Sequence, residues 1–275
     1  MTPAQALREA AAAGIERLDA QLLLLHALAR PATDRAWLLA HDDEEMRPQA
    51  VQAFQSCCER RGAGEPLAYI VGSKEFFGLE LHVDARVLVP RPDTETVVEW
   101  SLEVIADSTK PRVVDLGTGS GAIALAIAHR RHDAQVEGVD ASPDALAVAS
   151  ENARRLSLPV RFMQGHWLAG CRGPYDLIVS NPPYVAEGDE HLPALRHEPM
   201  QALVAGADGL DDIRSIVVQA PRCLAPNGWL LLEHGWDQAA AVRELLLAAG
   251  FAAVISRRDL AGIERCTGGR WLERG

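Results

Sequence analysis

Asp115-Leu116-Gly117-Thr118-Gly119-Ser120-Gly121, followed at once by Ala122-Ile123-Ala124-Leu125-Ala126-Ile127-Ala128, is the stretch that decides the fold. The apolar run Arg112 to Leu116 predicts a short buried strand, and Gly121 to Arg131 predicts a helix. Three glycines in five residues between them let the backbone turn tightly and come close to a ligand. The helix that follows adds unpaired N–H groups and the positive end of its dipole. Asp140 lies 19 residues after Gly121, at the end of the next apolar run, Gln135 to Val139. A carboxylate there can accept hydrogen bonds from both ribose hydroxyls of an adenosine. The order is G-x-G-x-G and not the G-x-G-x-x-G of the dinucleotide fingerprint, whose third glycine would fall on Ala122. Taken alone, the loop suits a nicotinamide cofactor, a flavin or S-adenosylmethionine.

Downstream, the same alternation continues. Pro143 to Leu156 predicts a helix, with Ser142 as N-cap and proline in its first turn. Pro159 to Met163 and Tyr175 to Ser180 predict strands three and four, and Leu210 to Leu224 a helix. Trp229 to His234 predicts strand five. Gln238 to Ala249 predicts a helix ended by Gly250. Ala252 to Arg257 and Arg270 to Arg274 complete seven strands. Strands alternating with helices predict a Rossmann-like α/β fold with a doubly wound, mostly parallel sheet.

Upstream the texture differs. Ala4 to Ala13, Asp19 to Ala29, Asp34 to Ala40 and Pro48 to Arg61 predict helices from their Ala, Leu, Gln and Arg content. Leu18, Leu22, Leu25 and Leu28 give one apolar face. Glu75 to Leu88 alternates apolar and polar residues and contains Gly78 and Asp84-Ala85, where a turn fits, so a β-hairpin is expected. The boundaries that follow are a small helical bundle over 1–72, expected to recognise the substrate, a linking hairpin over 73–90 and the α/β domain over 91–275.

A net charge of -11 disfavours a protein that lives on bulk DNA, because that affinity comes from neutralising phosphates. Five cysteines without a C-x-x-C pair predict neither a disulfide framework nor a zinc site, and no metal is expected. The first residues lack the basic region and apolar run of a signal peptide, and no apolar stretch approaches a membrane span. A cytoplasmic monomer is the expectation.

Ser180-Asn181-Pro182-Pro183-Tyr184 follows strand four, whose carboxyl end faces the crevice of such a sheet. Consecutive prolines donate no backbone hydrogen bond and fix φ, so the segment is rigid with its carbonyls free. An amide or aromatic amine is a poor nucleophile because its lone pair is delocalised. The Asn181 side-chain carbonyl and the Pro182 backbone carbonyl can accept from its two N–H groups and favour the positive charge that develops on attack. The Tyr184 ring can pack on a flat acceptor. An N-alkylated amide cation loses its proton readily to water, so no general base is nominated.

DLGTGSGAIALAIA, Asp140 and NPPY together resemble amino-methyltransferases that carry an (Asn/Asp)-Pro-Pro-(Tyr/Phe) motif, among them N6-adenine DNA and protein glutamine methyltransferases. EFFGLELHVDARVLVPRPDTE, NPPYVAEGDE, HEPMQALVAGADGL and LLLEHGW narrow the likeness to the peptide chain release factor glutamine methyltransferases, over nearly the whole chain. That resemblance implies a class I methyltransferase domain, S-adenosylmethionine as donor, S-adenosylhomocysteine as product and the Gln of a Gly-Gly-Gln loop in release factors as acceptor. It implies that Gly117, Thr118, Gly119, Ser120 and Gly121 line the methionine and ribose region, that Asp140 holds the ribose and that Trp167 lies near the adenine. Asn181, Pro182, Pro183 and Tyr184 form the glutamine pocket, with Asn181, Pro182 and Tyr184 as the catalytic set and Asn181 also near the cofactor. The chain departs from the pattern at His166, where such enzymes commonly carry an acid. Arg91, Asp93, Thr94 and Glu95 are expected to shape the methionine end or the domain junction. Arg91 and Glu198 also fit structural ion pairs, and the Trp236 region reads as core. A ribosomal protein as target, or adenine in a nucleic acid, are the alternatives. The absence of a sizeable basic insertion for reading a flipped base disfavours the nucleic acid.

Overall fold

The computed structural model describes residues 1–272 and divides into two compact units, Met1–Ser73 and the chain from Lys74 onward. The first unit is helical: α1 (Pro3–Ala12), α2 (Arg17–Ala27), α3 (Arg35–Ala40), α4 (Pro48–Gly62) and α5 (Leu67–Val71). Thr2 caps α1 by accepting from the Gln5 N–H, while the Gln5 side chain bonds back to the Thr2 N–H, a reciprocal capping box. Leu23, Leu24, Leu25, Leu38, Phe54 and Ile70 fill the core. The expected leucine face is rotated: Leu18 is 49% exposed, and Leu23 and Leu24 take the buried positions. Four leucines in a row at 22–25 satisfy more than one helical register, and only the packing partners choose between them. The five-residue α5 was not anticipated, since Pro66 and so short a run leave no periodicity to read.

In the second unit β1 (Ser73–Phe76) and β2 (Leu79–His82) form the hairpin. Its turn is Phe77-Gly78, both left-handed (φ 51° and 82°), as a tight two-residue hairpin requires. Asp84-Ala85 lies beyond the paired strands; there the Asp84 carboxylate accepts from the backbone and guanidinium of Arg86. A 3-10 turn at Pro92–Thr94 leads into α6 (Glu95–Val104), a helix the sequence reading passed over.

Then come β3 (Arg112–Leu116), α7 (Ala122–Arg130), β4 (Gln135–Asp140), α8 (Pro143–Leu156), β5 (Arg161–Gln164), β6 (Tyr175–Ser180), α9 (Asp211–Gln219), β7 (Leu224–Glu233), α10 (Ala239–Ala248), β8 (Ala252–Arg258) and β9 (Glu264–Arg270). The sheet order is β5-β4-β3-β6-β7-β9-β8. The first five strands are parallel and β9 runs antiparallel to both neighbours. Successive residues of the central strands serve opposite faces. Val113, Leu177, Val179 and Leu231 pack with α6 and α7, whereas Val114, Ile178, Leu230 and Leu232 pack with α9 and α10. The switch point falls at β3, with β4 on one side and β6 on the other, so the crevice opens at the ends of these strands.

Two expectations are corrected. The helix predicted to Leu224 stops at Gln219, because Pro221 forces a 3-10 turn and Leu224 already opens β7. The last strand is Glu264–Arg270 and not Arg270 to Arg274, of which 273 and 274 lie outside the described residues. Gly268 and Gly269 hid that strand, and close packing explains them: a Cβ on Gly268 would stand 2.3 Å from Leu231 Cδ2.

Candidate active site

The β3–α7 turn is built from glycines because each has to be left-handed, with φ of 67° at Gly117, 56° at Gly119 and 84° at Gly121. The Gly117 and Thr118 N–H groups both donate to the Val139 carbonyl, at 2.8 and 3.0 Å, which ties the turn to the end of β4. Asp140 completes the tie: its carboxylate accepts from Gly119 N and Ser142 N, each at 2.9 Å. Asp115 braces the turn from beneath. It is buried and accepts from Thr118 Oγ1 at 2.7 Å and Ala124 N at 3.2 Å, and burial pushes its carboxyl up to about 7.

At the neighbouring strand end, Ser180 Oγ donates to the Leu116 carbonyl at 2.7 Å and holds β6 against β3. Asn181 follows, and its side-chain N–H donates to Thr94 Oγ1 at 3.1 Å. Pro182 is buried. The Tyr184 carbonyl accepts from Gln238 Nε2 at 3.0 Å, and burial, then the Glu233 carboxylate, push the Tyr184 phenol up.

A cleft of about 530 Å³ joins these elements. Of the expected residues, Gly117, Gly119, Asp140, Trp167, Asn181 and Pro183 line it, together with His166. The others stand behind. Thr118 and Ser120 are buried, with the Ser120 carbonyl accepting from Asn152, and Gly121 packs on Leu125 and Ala149. Pro182 and Tyr184 are not on the wall of the cleft.

Trp167 adopts φ 51°, and a Cβ on Gly117 would come within 3.3 Å of its ring, so the indole presses on the glycine turn. His166 meets that indole edge-on. Arg91 pairs with buried Glu198 at 2.5 Å, and Glu198 also accepts from Val89 N, an ion pair that fastens two loops. Glu95 accepts from Phe77 N, and Asp93 faces Arg265 at 3.6 Å. Thr94 of that segment hydrogen-bonds to the Asn-Pro-Pro-Tyr motif, through Asn181, and Arg91 and Asp93 act on the Tyr184 phenol through their charges. The reading of Trp236 as core is overturned: it is 70% exposed, because Gly235 and Gln238 close a turn that carries it outward.

The sequence reading did not single out Asp212, in the first turn of α9, or the Ala141–Ala145 segment, both on the wall. Asp212 carries no motif; only the fold brings it to Trp167 and His166, and burial pushes its carboxyl up against their influence. Glu233, the last residue of β7, was not named either. It is 2% exposed, its Oε2 has no hydrogen-bond partner among the described residues, and burial raises it to about 7.

The volume falls in the range of small-molecule clefts, about 300–1,000 Å³. At Gly119 a Cβ would meet nothing nearer than the Gly117 carbonyl, 4.0 Å away, so a side chain there would enter space left for a ligand. Bare backbone, a strand-end carboxylate and an indole on one wall fit an adenosine that carries a polar tail.

A parallel sheet with this order, reversed at its last strand, and a glycine cleft at the switch point define a Rossmann-like class I methyltransferase. The Methyltransferase small domain model matches residues 98–208, and the PrmC N-terminal domain model matches residues 4–72. A release factor glutamine methyltransferase of Xylella fastidiosa is 49% identical, over 96% of this chain and 97% of its own. One from Bordetella pertussis is also 49% identical, over 93% and 95%. The crystal structure of a methyltransferase from Pyrococcus furiosus superposes with a TM-score of 0.56 at 19% identity, over 80% of this chain and 98% of its own, a likeness of fold. The chain belongs to the release factor glutamine methyltransferase family.

Proposed function

We propose that the protein transfers the methyl group of S-adenosylmethionine to the side-chain amide nitrogen of the glutamine in the Gly-Gly-Gln loop of peptide chain release factors. The observation that carries this reading is the fixed end of Asn181. With its nitrogen engaged by Thr94, the amide has its carbonyl oxygen left for a partner, and Asn181 lines the cleft. An acceptor amide matches that oxygen with one N–H, and its second N–H is assigned to the backbone carbonyl of Pro182, the next residue.

Bound S-adenosylmethionine supplies an electrophilic methyl group on a sulfonium centre. Gly117 and Gly119 offer backbone to its amino-acid and ribose portions, Asp140 accepts from ribose hydroxyls, and Trp167 flanks the adenine. Thr118, Ser120 and Gly121 act by holding the turn. Asn181 and Pro182 orient the acceptor nitrogen and favour its developing positive charge, while Pro183 and Tyr184 shape the pocket around the amide. Most of the rate enhancement then comes from alignment.

The helical unit is assigned to recognition of the release factor, with 73–90 as the link. The monomer, the cytoplasmic setting and the absence of direct nucleic-acid contact belong to the same proposal. The net charge of -11 supports the absence of direct nucleic-acid contact, and no helix among the described residues is long and apolar enough to cross a membrane.

Methyl-labelled S-adenosylmethionine is incubated with the protein and release factor, with unmethylated DNA and with ribosomal proteins. Label in the Gly-Gly-Gln peptide, lost when that Gln is replaced, is the expected result. Label confined to DNA or a ribosomal protein overturns the substrate.

A further inference from the structure

β6 and β7 pair in parallel with Ser180 opposite Leu232, so Asn181 and Glu233 leave the sheet side by side. Glu233 is buried, and its Oε2 is without a hydrogen-bond partner among the described residues. The Thr94 hydroxyl and the Asn181 side chain are polar groups that act on it, and both favour its charged form. The same Thr94 oxygen accepts from the Asn181 side-chain N–H at 3.1 Å. A hydroxyl that accepts from an amide has one proton to donate elsewhere, and an ionised carboxylate offers only acceptors.

We propose that Glu233 is a positioning residue for methyl transfer: facing Thr94 and Asn181 as an acceptor only, it forces the nitrogen end of the Asn181 amide inward and so turns the oxygen end toward the methyl acceptor. The proposal rests on the reading above that the acceptor is a planar amide. The two ends of an asparagine amide have nearly the same shape, so sterics alone select neither. With a donor in place of the carboxylate, the amide can turn end for end. Asn181 then sets N–H against the acceptor's own N–H, and the orienting hydrogen bond is lost.

Ionisation controls the device. Besides Thr94 and Asn181, the groups that act on Glu233 are Asp93 from the 3-10 turn and Arg265 from β9, and Tyr184 and Cys266 feel its charge in turn. Burial raises the carboxyl to about 7, and Asp93 adds to that while Thr94, Arg265 and Asn181 oppose it. Below that pH the protonated acid can donate, and the amide is no longer held one way. Turnover is therefore expected to rise with pH through the neutral range.

The test compares wild type with Glu233→Gln, Thr94→Val and Thr94→Ser in the full chain. Turnover is measured on release factor, S-adenosylmethionine affinity by calorimetry, and the Asn181 side-chain amide by 15N NMR, its signal assigned by its loss in Asn181→Ala. Expected is a kcat lowered roughly tenfold to a hundredfold in Glu233→Gln and Thr94→Val, with donor affinity within about threefold and near-normal turnover in Thr94→Ser. The wild-type Asn181 signal titrates near neutral pH, and that titration and the matching kcat limb vanish in Glu233→Gln. Wild-type kcat with an unchanged limb in Glu233→Gln overturns the proposal, as does a parallel loss of donor affinity, which marks a merely structural role. Should wild type leave release factor unmethylated, the acceptor reading fails while the NMR titration still decides the role of Glu233.

Discussion

Asn181 and Asp140 line one cleft but are expected to fail differently. On the proposed reading, Asn181→Ala removes an oriented acceptor needed mainly as charge develops, so turnover should fall by about 2–4 kcal/mol of transition-state stabilisation, with donor affinity preserved. Near wild-type turnover would refute the role. Asp140→Ala removes the proposed ribose acceptor and also releases Gly119 N and Ser142 N, so calorimetry should show weakened donor binding, and an unchanged affinity would count against the contact. Asp115 gives a prediction about stability. Its carboxyl titrates near 4 when unfolded but at about 7 in the fold. The unfolded chain therefore releases that proton first, and stability falls as pH rises from about 4 to 7, then levels. Asp115→Asn should flatten this decline in urea titrations at pH 5 and pH 8, leaving the smaller fall that Glu233 contributes. An unchanged slope would mean that Asp115 titrates normally. Asp140 was legible as a strand-end carboxylate facing the crevice; that Asp115 is a buried brace was not, because burial is a property of the packed sheet.

Among the strands, β9 is the one the sequence concealed. Glu264–Arg270 has little apolar alternation, yet it lies between β7 and β8 as the antiparallel member of the sheet. Its glycines are steric requirements: on Gly268 a Cβ would also come within 2.9 Å of the Leu230 carbonyl and of Trp100. Gly268→Ala should destabilise the second unit by about 1–3 kcal/mol, read as a lower denaturant midpoint. Wild-type stability would show that the sheet yields locally. Helix α6 was missed for a related reason: the Pro-rich approach at Pro90 and Pro92 reads as loop, and Val97, Val98 and Trp100 become a helical face only once β7 and β9 are there to receive it. Elements whose partner is adjacent in sequence, such as β3, α7 and β4, were read within a residue or two.

For the molecule as a whole, every residue on the cleft wall belongs to the second unit. That unit expressed alone should bind S-adenosylmethionine within a few-fold of the full chain, while methylation of intact release factor should fall steeply, as the assignment of the helical unit to recognition requires. Full activity without residues 1–73 would remove that assignment. Loss of donor binding would instead show that the second unit does not fold independently.

The glycine turn, the strand-end aspartate and Asn-Pro-Pro-Tyr were determined by sequence alone, because each is local chemistry: a left-handed backbone only glycine tolerates, a rigid di-proline, a carboxylate one strand away. The alternation of strands and helices was local as well, through its period. Tertiary structure decided what long-range approach creates. It set the register of the leucine run in α2 and exposed Trp236. It carried Asp212 to the cleft from 45 residues beyond Trp167, and laid Glu233 and Thr94 against Asn181. Burial and hydrogen-bond partnership arise between segments far apart in the chain, and the free energies that turn a carboxylate into a brace or a positioning group exist only when those segments meet.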